Sequence, residues 1–142
     1  MLCRLPVGYS YPMHRALPVV CIAGVIAVSG CGLGPSEAGA VTAARDFYGA
    51  LQNGDGGKAC ARLSAEVRHK LMESEGTTCA KAVTSLQLSA RSLRRVEVYG
   101  RGARVVSDSD TAFAARFADG WHITAAGCKE RAAVPYDCEL EG

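Results

Sequence analysis

Residues 93–125 read LRRVEVYGRGARVVSDSDTAFAARFADGWHITA. Within this stretch apolar side chains recur at every second position, and that pattern is the strongest indication of the fold class. The apolar members of its first two alternating runs are Val96, Val98, Ala103 and Val105. Successive side chains of a β-strand point to opposite faces of the sheet, so a period of two predicts strands with one buried face.

The same period continues through the second half of the stretch. The apolar members that we expect to face the core there are Phe113, Ala115, Phe117, Trp121, Ile123 and Ala125. The breaks between the runs consist of turn-forming residues: Gly100-Arg-Gly102, Asp108-Ser-Asp110 and Asp119-Gly120. An Asp-Gly pair between two strands is a strong hairpin signal, so we expect four antiparallel strands in a meander.

The preceding part of the chain has helical spacing. Ser36 is the expected N-cap of a first helix that Asn53-Gly-Asp-Gly-Gly57 ends. A second short helix should carry Ala59, Cys60 and Leu63. Ser64 should cap a third helix that ends at Gly76, and residues 77–85 predict a fourth. Helices followed by an antiparallel sheet make an α+β fold for residues 36–142.

Two motifs within this order resemble the nuclear transport factor two-like superfamily. They are Phe47-Tyr48-x-x-Leu51-x-x-Gly54 and the Asp-Gly-Trp-His-Ile run of residues 119–123, and the resemblance covers residues 36–127 at the level of element order. It implies a cone-shaped fold with helices packed into the concave face of a curved sheet. Some members bind a small apolar ligand or act as isomerases or cyclases, and dimerisation through the open sheet face is common.

The first thirty residues have the pattern of a secretory signal peptide. Arg4, His14 and Arg15 precede thirteen uncharged residues, 16–28, and no acidic residue lies before them. A helix of that length would be about 20 Å long, which is short of a hydrocarbon core of about 30 Å. A basic segment followed by a short apolar one is typical of a cleaved leader.

The end of the apolar segment, Val28-Ser29-Gly30-Cys31, resembles the lipobox of bacterial lipoproteins. The resemblance implies a diacylglyceryl thioether on Cys31 and cleavage between Gly30 and Cys31, so residues 31–35 would be a lipidated tether. Two acyl chains give stable membrane attachment where one gives only marginal binding. The predicted location is therefore the outer face of the cell membrane.

Four of the seven cysteines remain for the folded domain once Cys3, Cys21 and Cys31 are set aside. An even number of cysteines in an exported domain predicts disulfides. Of the three possible pairings we favour Cys60–Cys79 and Cys128–Cys138, which join neighbours in the chain. A zinc site is the alternative, but no Cys-x-x-Cys pair is present. The cysteine pattern further resembles small secreted lipoproteins of actinobacteria.

Charge excludes one class of partner. Arg4 and Arg15 are the only basic residues before Cys31, so the remaining chain holds 14 Lys and Arg and 14 Asp and Glu. This neutral balance, with no basic cluster in the sequence, excludes electrostatic capture of nucleic acid. The expected partners are the membrane, reached through lipid, and either an unknown protein or a small apolar ligand; a homodimer is a further option.

No arrangement of titratable residues in the sequence predicts catalysis. The candidates are His69, His122, Asp46, Asp108, Asp110 and Asp119, and each has an ordinary interpretation on a polar face or in a turn. We expect His122 to face away from the core if Trp121 faces it. Nucleotide-binding, serine-hydrolase and zinc-protease motifs are absent from the sequence, and we predict no cofactor.

Five aromatic residues are candidates for lining a pocket, and they are equally suited to filling a core: Phe47, Tyr48, Phe113, Phe117 and Trp121. The sequence thus predicts a membrane-anchored, non-enzymatic domain that binds a ligand or partner. The alternative is an isomerase-like or cyclase-like enzyme that acts on a small apolar substrate in the cone. That alternative requires an ionisable group inside the cone with a shifted pKa.

Overall fold

Four helices and a five-stranded antiparallel sheet form the part of the chain that the computed structural model describes, residues 34–133 and 135–142. The chain is α+β, with all helices before the strands. The predicted leader, the cleavage site at Gly30–Cys31 and the first part of the tether lie outside the described residues.

The helices follow one another closely. They are α1 (Pro35–Gln52), α2 (Gly56–Ala61), α3 (Ala65–Glu75) and α4 (Cys79–Ser85). Ser64 caps α3 as predicted, because its hydroxyl oxygen accepts a hydrogen bond from the Val67 N–H at 3.3 Å. Gly76 ends α3 in the left-handed conformation, which glycine adopts without strain.

Two helix predictions were wrong in detail. The N-cap of α1 is Gly34 and not Ser36, because Pro35 occupies the first helical position, where its missing N–H costs nothing. Leu63 lies beyond α2 and forms a parallel bridge with Ile123. The N–H of Ser64 donates to the Ile123 carbonyl at 2.9 Å, so this short segment runs beside the sheet.

The strands are β1 (Leu93–Tyr99), β2 (Gly102–Ser107), β3 (Thr111–Phe117), β4 (Gly120–Cys128) and β5 (Leu140–Glu141). They pair in sequence order, so the predicted four-stranded meander is confirmed and the sheet is open at β1 and β5. The short strand β5, in which Leu140 pairs with Ala126 of β4, was not predicted from the sequence. Two residues are too few to show an alternating period.

The phase predicted for β3 was wrong. Ala112 and Ala114 face the helices and are buried, whereas Phe113, Ala115 and Phe117 point to the opposite face. Register decides this, because Ala112 pairs with the buried Val105 and Ala114 with the buried Ala103. Small side chains suit the inner position because α1 packs directly across β1 to β4.

Trp121 and Ile123 are buried on the inner face as predicted, but Ala125 is not. Two irregularities in the pairing of β3 with β4 give β4 extra residues, so the alternation shifts and Ala126 becomes the buried position. Extra residues of this kind bend a strand and increase its twist. Gly127, with φ +68, permits the second irregularity.

The core lies between the inner face of the sheet and the helices. Its largest fully buried side chains include Phe47, Leu63, Val67, Val83, Val105 and Ile123. Trp121 packs so tightly on Gly39 of α1 that a Cβ there would lie 2.5 Å from the indole Cδ1. This glycine therefore sets how closely α1 approaches the sheet.

The structure pairs the cysteines in the favoured way, as Cys60–Cys79 and Cys128–Cys138. Cys60–Cys79 joins α2 to α4, and Cys128–Cys138 closes the segment between β4 and β5. The first bridge lies beside a close helix contact, because a Cβ on Gly56 would meet the Ala80 carbonyl oxygen at 2.1 Å.

Among the described helices, none combines the length and apolar character needed to span a bilayer.

Candidate functional site

The five aromatic pocket candidates separate onto the two faces of the sheet. Phe47, Tyr48 and Trp121 are buried on the inner face, where they fill the core. Phe113 and Phe117 lie on the outer face, half-buried and exposed respectively. The structure therefore does not bring the five together, and only the outer pair belongs to a surface that a partner can reach directly.

A trough crosses the outer face of the sheet. Its floor is one row of register partners, in which Tyr99 of β1 pairs with Gly102, Gly102 with Ala115, and Ala115 with His122 of β4. Glycine and alanine in the middle of the row leave a depression of about 500 Å³ that Tyr99, Phe113 and Thr124 also line. We call this surface the outer trough.

Two exposed aromatic residues lie on the outer face: Tyr99 lines the outer trough, and Phe117 packs beside His122 at the end of the row. The Tyr99 side chain is 66% exposed and Phe117 is 43% exposed. Tyrosine is among the residues enriched at binding hot spots, so exposed Tyr99 is a candidate contact residue.

Tyr136 bounds the third side of the outer trough. Its ring meets Phe113 edge to face with centroids 4.9 Å apart, and its hydroxyl accepts a hydrogen bond from Arg104 Nη1 at 2.8 Å. Arg104 also donates from Nε to Glu97 at 2.7 Å. The bond to Tyr136 and then the bond to Glu97 raise the pKa of Arg104, while Arg104 lowers the pKa of the Glu97 carboxyl. The wall is therefore a charged, preorganised rim.

His122 lies at the opposite end of the row and is less exposed than predicted. Its side chain is only 16% exposed, because Phe117 packs edge to face against it at 5.7 Å. Nε2 lies 3.1 Å from Asp119 Oδ2, and Nδ1 is buried with no hydrogen-bond partner among the described residues. The pair borders a second depression of about 350 Å³ that reaches Ser64 and Arg68.

The remaining aspartates have structural partners. Asp110 accepts hydrogen bonds from Tyr48 and Ser107, each at 2.8 Å. Burial, then the charge and hydrogen bond of Asp110, strongly raise the pKa of the Tyr48 phenol. Partial desolvation opposes ionisation of Asp108, but backbone N–H groups of Arg91 and Ser92 donate to it and lower its pKa. Asp108 therefore fastens the loop before β1, whereas Asp110 joins α1 to the turn between β2 and β3.

Two other titratable candidates lie in ion pairs at the surface. Asp46 pairs with Arg62 at 2.6 Å, and His69 lies 3.2 Å from Glu73 one helical turn away. The Asp46 pair borders a polar hollow of about 600 Å³ between α1 and α2, which Asp55 and Lys58 also line. Exposed pairs of this type contribute about 0–1 kcal/mol, and their oxygens are already engaged.

The described residues hold no cluster of three His, Cys, Asp or Glu side chains arranged to bind a metal ion. The outer trough has an apolar floor and a charged rim, with exposed Tyr99 in its lining and exposed Phe117 near one end, an arrangement that fits association. Sequence reasoning missed Tyr99 and Tyr136 as members of this surface. Tyr99 could have been found, because it follows Val98 in phase with Glu97 on the polar face of its strand.

His122 and Asp119 were each candidates from the sequence, but their contact with each other was not predicted. Their spacing of three across a hairpin turn brings them together only because Gly120, with φ +127, reverses the chain between them.

Comparison of the chain with protein-family models, with curated proteins and with solved structures gave no match.

Proposed function

We propose that the chain is an extracytoplasmic lipoprotein, anchored through Cys31, whose domain is a non-enzymatic accessory module that binds a partner protein at the outer trough. The observation that carries the binding role is the contrast between a filled inner face and an outer face with exposed Tyr99 and Phe117.

Anchoring is supported by the residues that precede the domain. An apolar segment ends in Val28-Ser29-Gly30-Cys31, which fits lipoprotein processing. The two disulfides add independent support for export, because such bridges persist in oxidising compartments and are rare in the cytosol.

The cone-shaped fold of the nuclear transport factor two-like superfamily is part of the proposal. Its support is the order of elements, the packing of α1 across four strands and the two irregularities in β4. In such a fold the helices cover the concave side of the sheet, so the opposite side stays available for association.

A protein partner fits the outer trough better than a small apolar ligand inside the cone. Phe47, Trp121 and Ile123 occupy the space between α1 and the sheet. The outer trough is shallow and has a polar rim at Arg104 and Glu97, and apolar contacts inside a polar rim are the usual plan of a protein interface.

The alternative of an isomerase or cyclase requires an ionisable group that faces open space inside the cone. The inner polar cluster of Tyr48, Ser107 and Asp110 is hydrogen-bonded internally, and the raised pKa of Tyr48 keeps its phenol protonated. No contact of these groups favours catalysis over the structural role of joining α1 to the turn between β2 and β3.

The binding test places a photo-crosslinking amino acid at Tyr99 in the full-length protein in its native cells. We expect a defined crosslinked product that disappears when Ala115→Arg fills the trough floor. The matched control is the same crosslinker at Met72, which is 40% exposed on α3, far from the trough in the fold. A product of twice the chain mass would identify the partner as a second copy.

Equal crosslinking from positions 72 and 99, or crosslinking that survives Ala115→Arg, would contradict the role of the outer trough. The anchoring test is separate. Cys31→Ala should abolish incorporation of a labelled lipid precursor and release or misprocess the protein, whereas Cys21→Ala should leave labelling intact. Persistent labelling of Cys31→Ala would contradict anchoring without affecting the trough experiment.

A further inference from the structure

The second notable surface is a cluster of arginines at the β1 edge of the sheet. Arg45 of α1 borders one depression together with Arg91 and a second together with Arg94 and Arg95. All four side chains belong to exposed residues, and we call them the arginine edge.

The arginine edge has little internal charge compensation. In the described part of the chain, Arg45, Arg91 and Arg94 form no ion pair with a carboxylate, and Arg95 has only a 3.7 Å contact with Glu97. Glu37 also borders the depression, and Asp108, which accepts hydrogen bonds from backbone N–H groups, is close enough to Arg94 for that charge to help lower its pKa. Positive charge therefore dominates.

Acidic side chains gather at the other edge of the sheet. Glu139 and Glu141 flank Leu140 of β5, and Glu66 of α3 lies close to Gly142, which follows β5. All three are exposed. Neighbouring strands lie about 4.8 Å apart, so a sheet of five strands separates the basic and acidic edges by about 19 Å. Glu139 and Glu141 therefore place negative charge at the edge opposite the arginine edge.

The predicted lipid anchor, Cys31, lies close in sequence to α1, the helix that carries Arg45. Three residues, Gly32 to Gly34, separate Cys31 from Pro35, so the two Cα atoms can be no more than about 14 Å apart. Arg45 lies ten residues further along α1, about 15 Å by the helical rise. Glu37, at the start of α1, borders the same depression as Arg94 and Arg95, so a lipid on Cys31 can bring the arginine edge to the headgroups.

We propose that the arginine edge docks on anionic phospholipid headgroups and orients the anchored domain, with its acidic edge turned away from the membrane. This inference rests on the proposed lipid anchor. Each arginine close to an anionic membrane surface strengthens attachment by about 1 kcal/mol, which is about fivefold. Four weak contacts do not replace a diacyl anchor, but they are enough to select one orientation of a tethered domain.

Docking in this orientation places β1 at the membrane. The sheet order then runs away from the surface, and the outer trough stands perpendicular to it, open to a partner beside the domain. The exposed β1 backbone would also face headgroups, where charged side chains prevent strand pairing with another chain.

The test is an arginine footprint of the mature lipidated protein. The protein is reconstituted in vesicles with 30% phosphatidylglycerol, in vesicles of phosphatidylcholine alone and in non-ionic detergent, and treated with phenylglyoxal. We expect Arg45, Arg91 and Arg94 to react about fivefold more slowly in the anionic vesicles than in the other two. Arg68, on α3 at the far side, is the internal reference and should react equally in all three.

A variant carrying Arg45→Glu and Arg94→Glu should lose the protection of Arg91, and the matched variant with Lys81→Glu and Lys129→Glu should keep it. Equal reactivity of Arg91 in both vesicle types would overturn the proposal, as would protection by inorganic phosphate in detergent, which would indicate a soluble anion as the ligand. Failure of the anchor would be distinguishable, because the protein would not float with either type of vesicle.

Discussion

The two faces of one sheet differ in kind. On the inner face small residues alternate with Val105 and Ile123, and α1 lies against them. On the outer face the larger rings of Phe113 and Phe117 stand free of the helices, beside Tyr99. In an isolated folded domain the bulky apolar residues would be expected inside. Their outward placement leaves the small side chains of β3 for close contact with α1, and it supplies the surface to which we assign the proposed binding role.

The largest loss of stability is expected from a substitution on the inner face. Phe47→Ala should lower the free energy of unfolding by about 3–5 kcal/mol, because it removes a fully buried ring and leaves a cavity. Urea denaturation followed by circular dichroism measures the loss. A change below about 1 kcal/mol would mean that α1 does not pack on the sheet as described.

Removal of the Cys60–Cys79 disulfide should cause the next largest loss of stability. Replacing both cysteines by serine should cost about 3 kcal/mol, because the unfolded chain gains the freedom that the crosslink removes. Replacing Cys128 and Cys138 should cost a similar amount and, in addition, free Tyr136 from Phe113 on the outer trough. Unfolding measured with and without reductant should reproduce both losses in the wild-type protein.

Tyr48→Phe tests the polar cluster under α1. The loss of a hydrogen bond to the Asp110 carboxylate should cost about 2 kcal/mol at neutral pH. The pKa of Tyr48 is raised in the folded state, so its contribution is full below pH 10 and falls as the pH rises above that value, where the unfolded phenol ionises. Wild-type stability should therefore decline above pH 10 by about 1.4 kcal/mol per pH unit, and Tyr48→Phe should decline less steeply.

An unchanged alkaline slope in Tyr48→Phe would show that this phenol is not held protonated by the fold. Tyr99→Phe is the control, because Tyr99 is exposed and donates no hydrogen bond to Asp110. It should match the wild type in both neutral stability and alkaline slope.

The smallest effect on stability should come from the outer face. Phe117→Ala should change the free energy of unfolding by less than about 1 kcal/mol, because it removes only an exposed ring and its edge contact with His122. Its effect should appear in partner crosslinking from position 99. A loss of several kcal/mol would place Phe117 in the folding core and remove the distinction between the two faces.

Much of the fold could be predicted from the sequence, because its signals are local. The period of two, the turn residues at 100–102 and 108–110 and the N-cap at Ser64 each depend on neighbours in the chain. The phase of β3 could not be predicted, since Phe113 and Ala114 are both apolar and only the register with β2 decides which one faces α1.

The candidate site was less predictable because it depends on contacts between distant residues. The row from Tyr99 to His122 exists only once four strands are paired. The contact of Tyr136 with Phe113 joins residues from different parts of the chain, and the arginine edge unites Arg45 of α1 with Arg94 of β1. Arg91, Arg94 and Arg95 are neighbours in the sequence, but their grouping with Arg45 exists only in the fold.

The proposed anchoring, location and membrane orientation all depend on how the chain begins in its mature form. The most direct measurement is the intact mass of the protein purified from membranes of its native cells. The account predicts a chain that starts at Cys31, carries a diacylglyceryl group on that sulfur and contains two disulfides. A soluble product that retains residues 1–30, or one with a free thiol at Cys31, would contradict it.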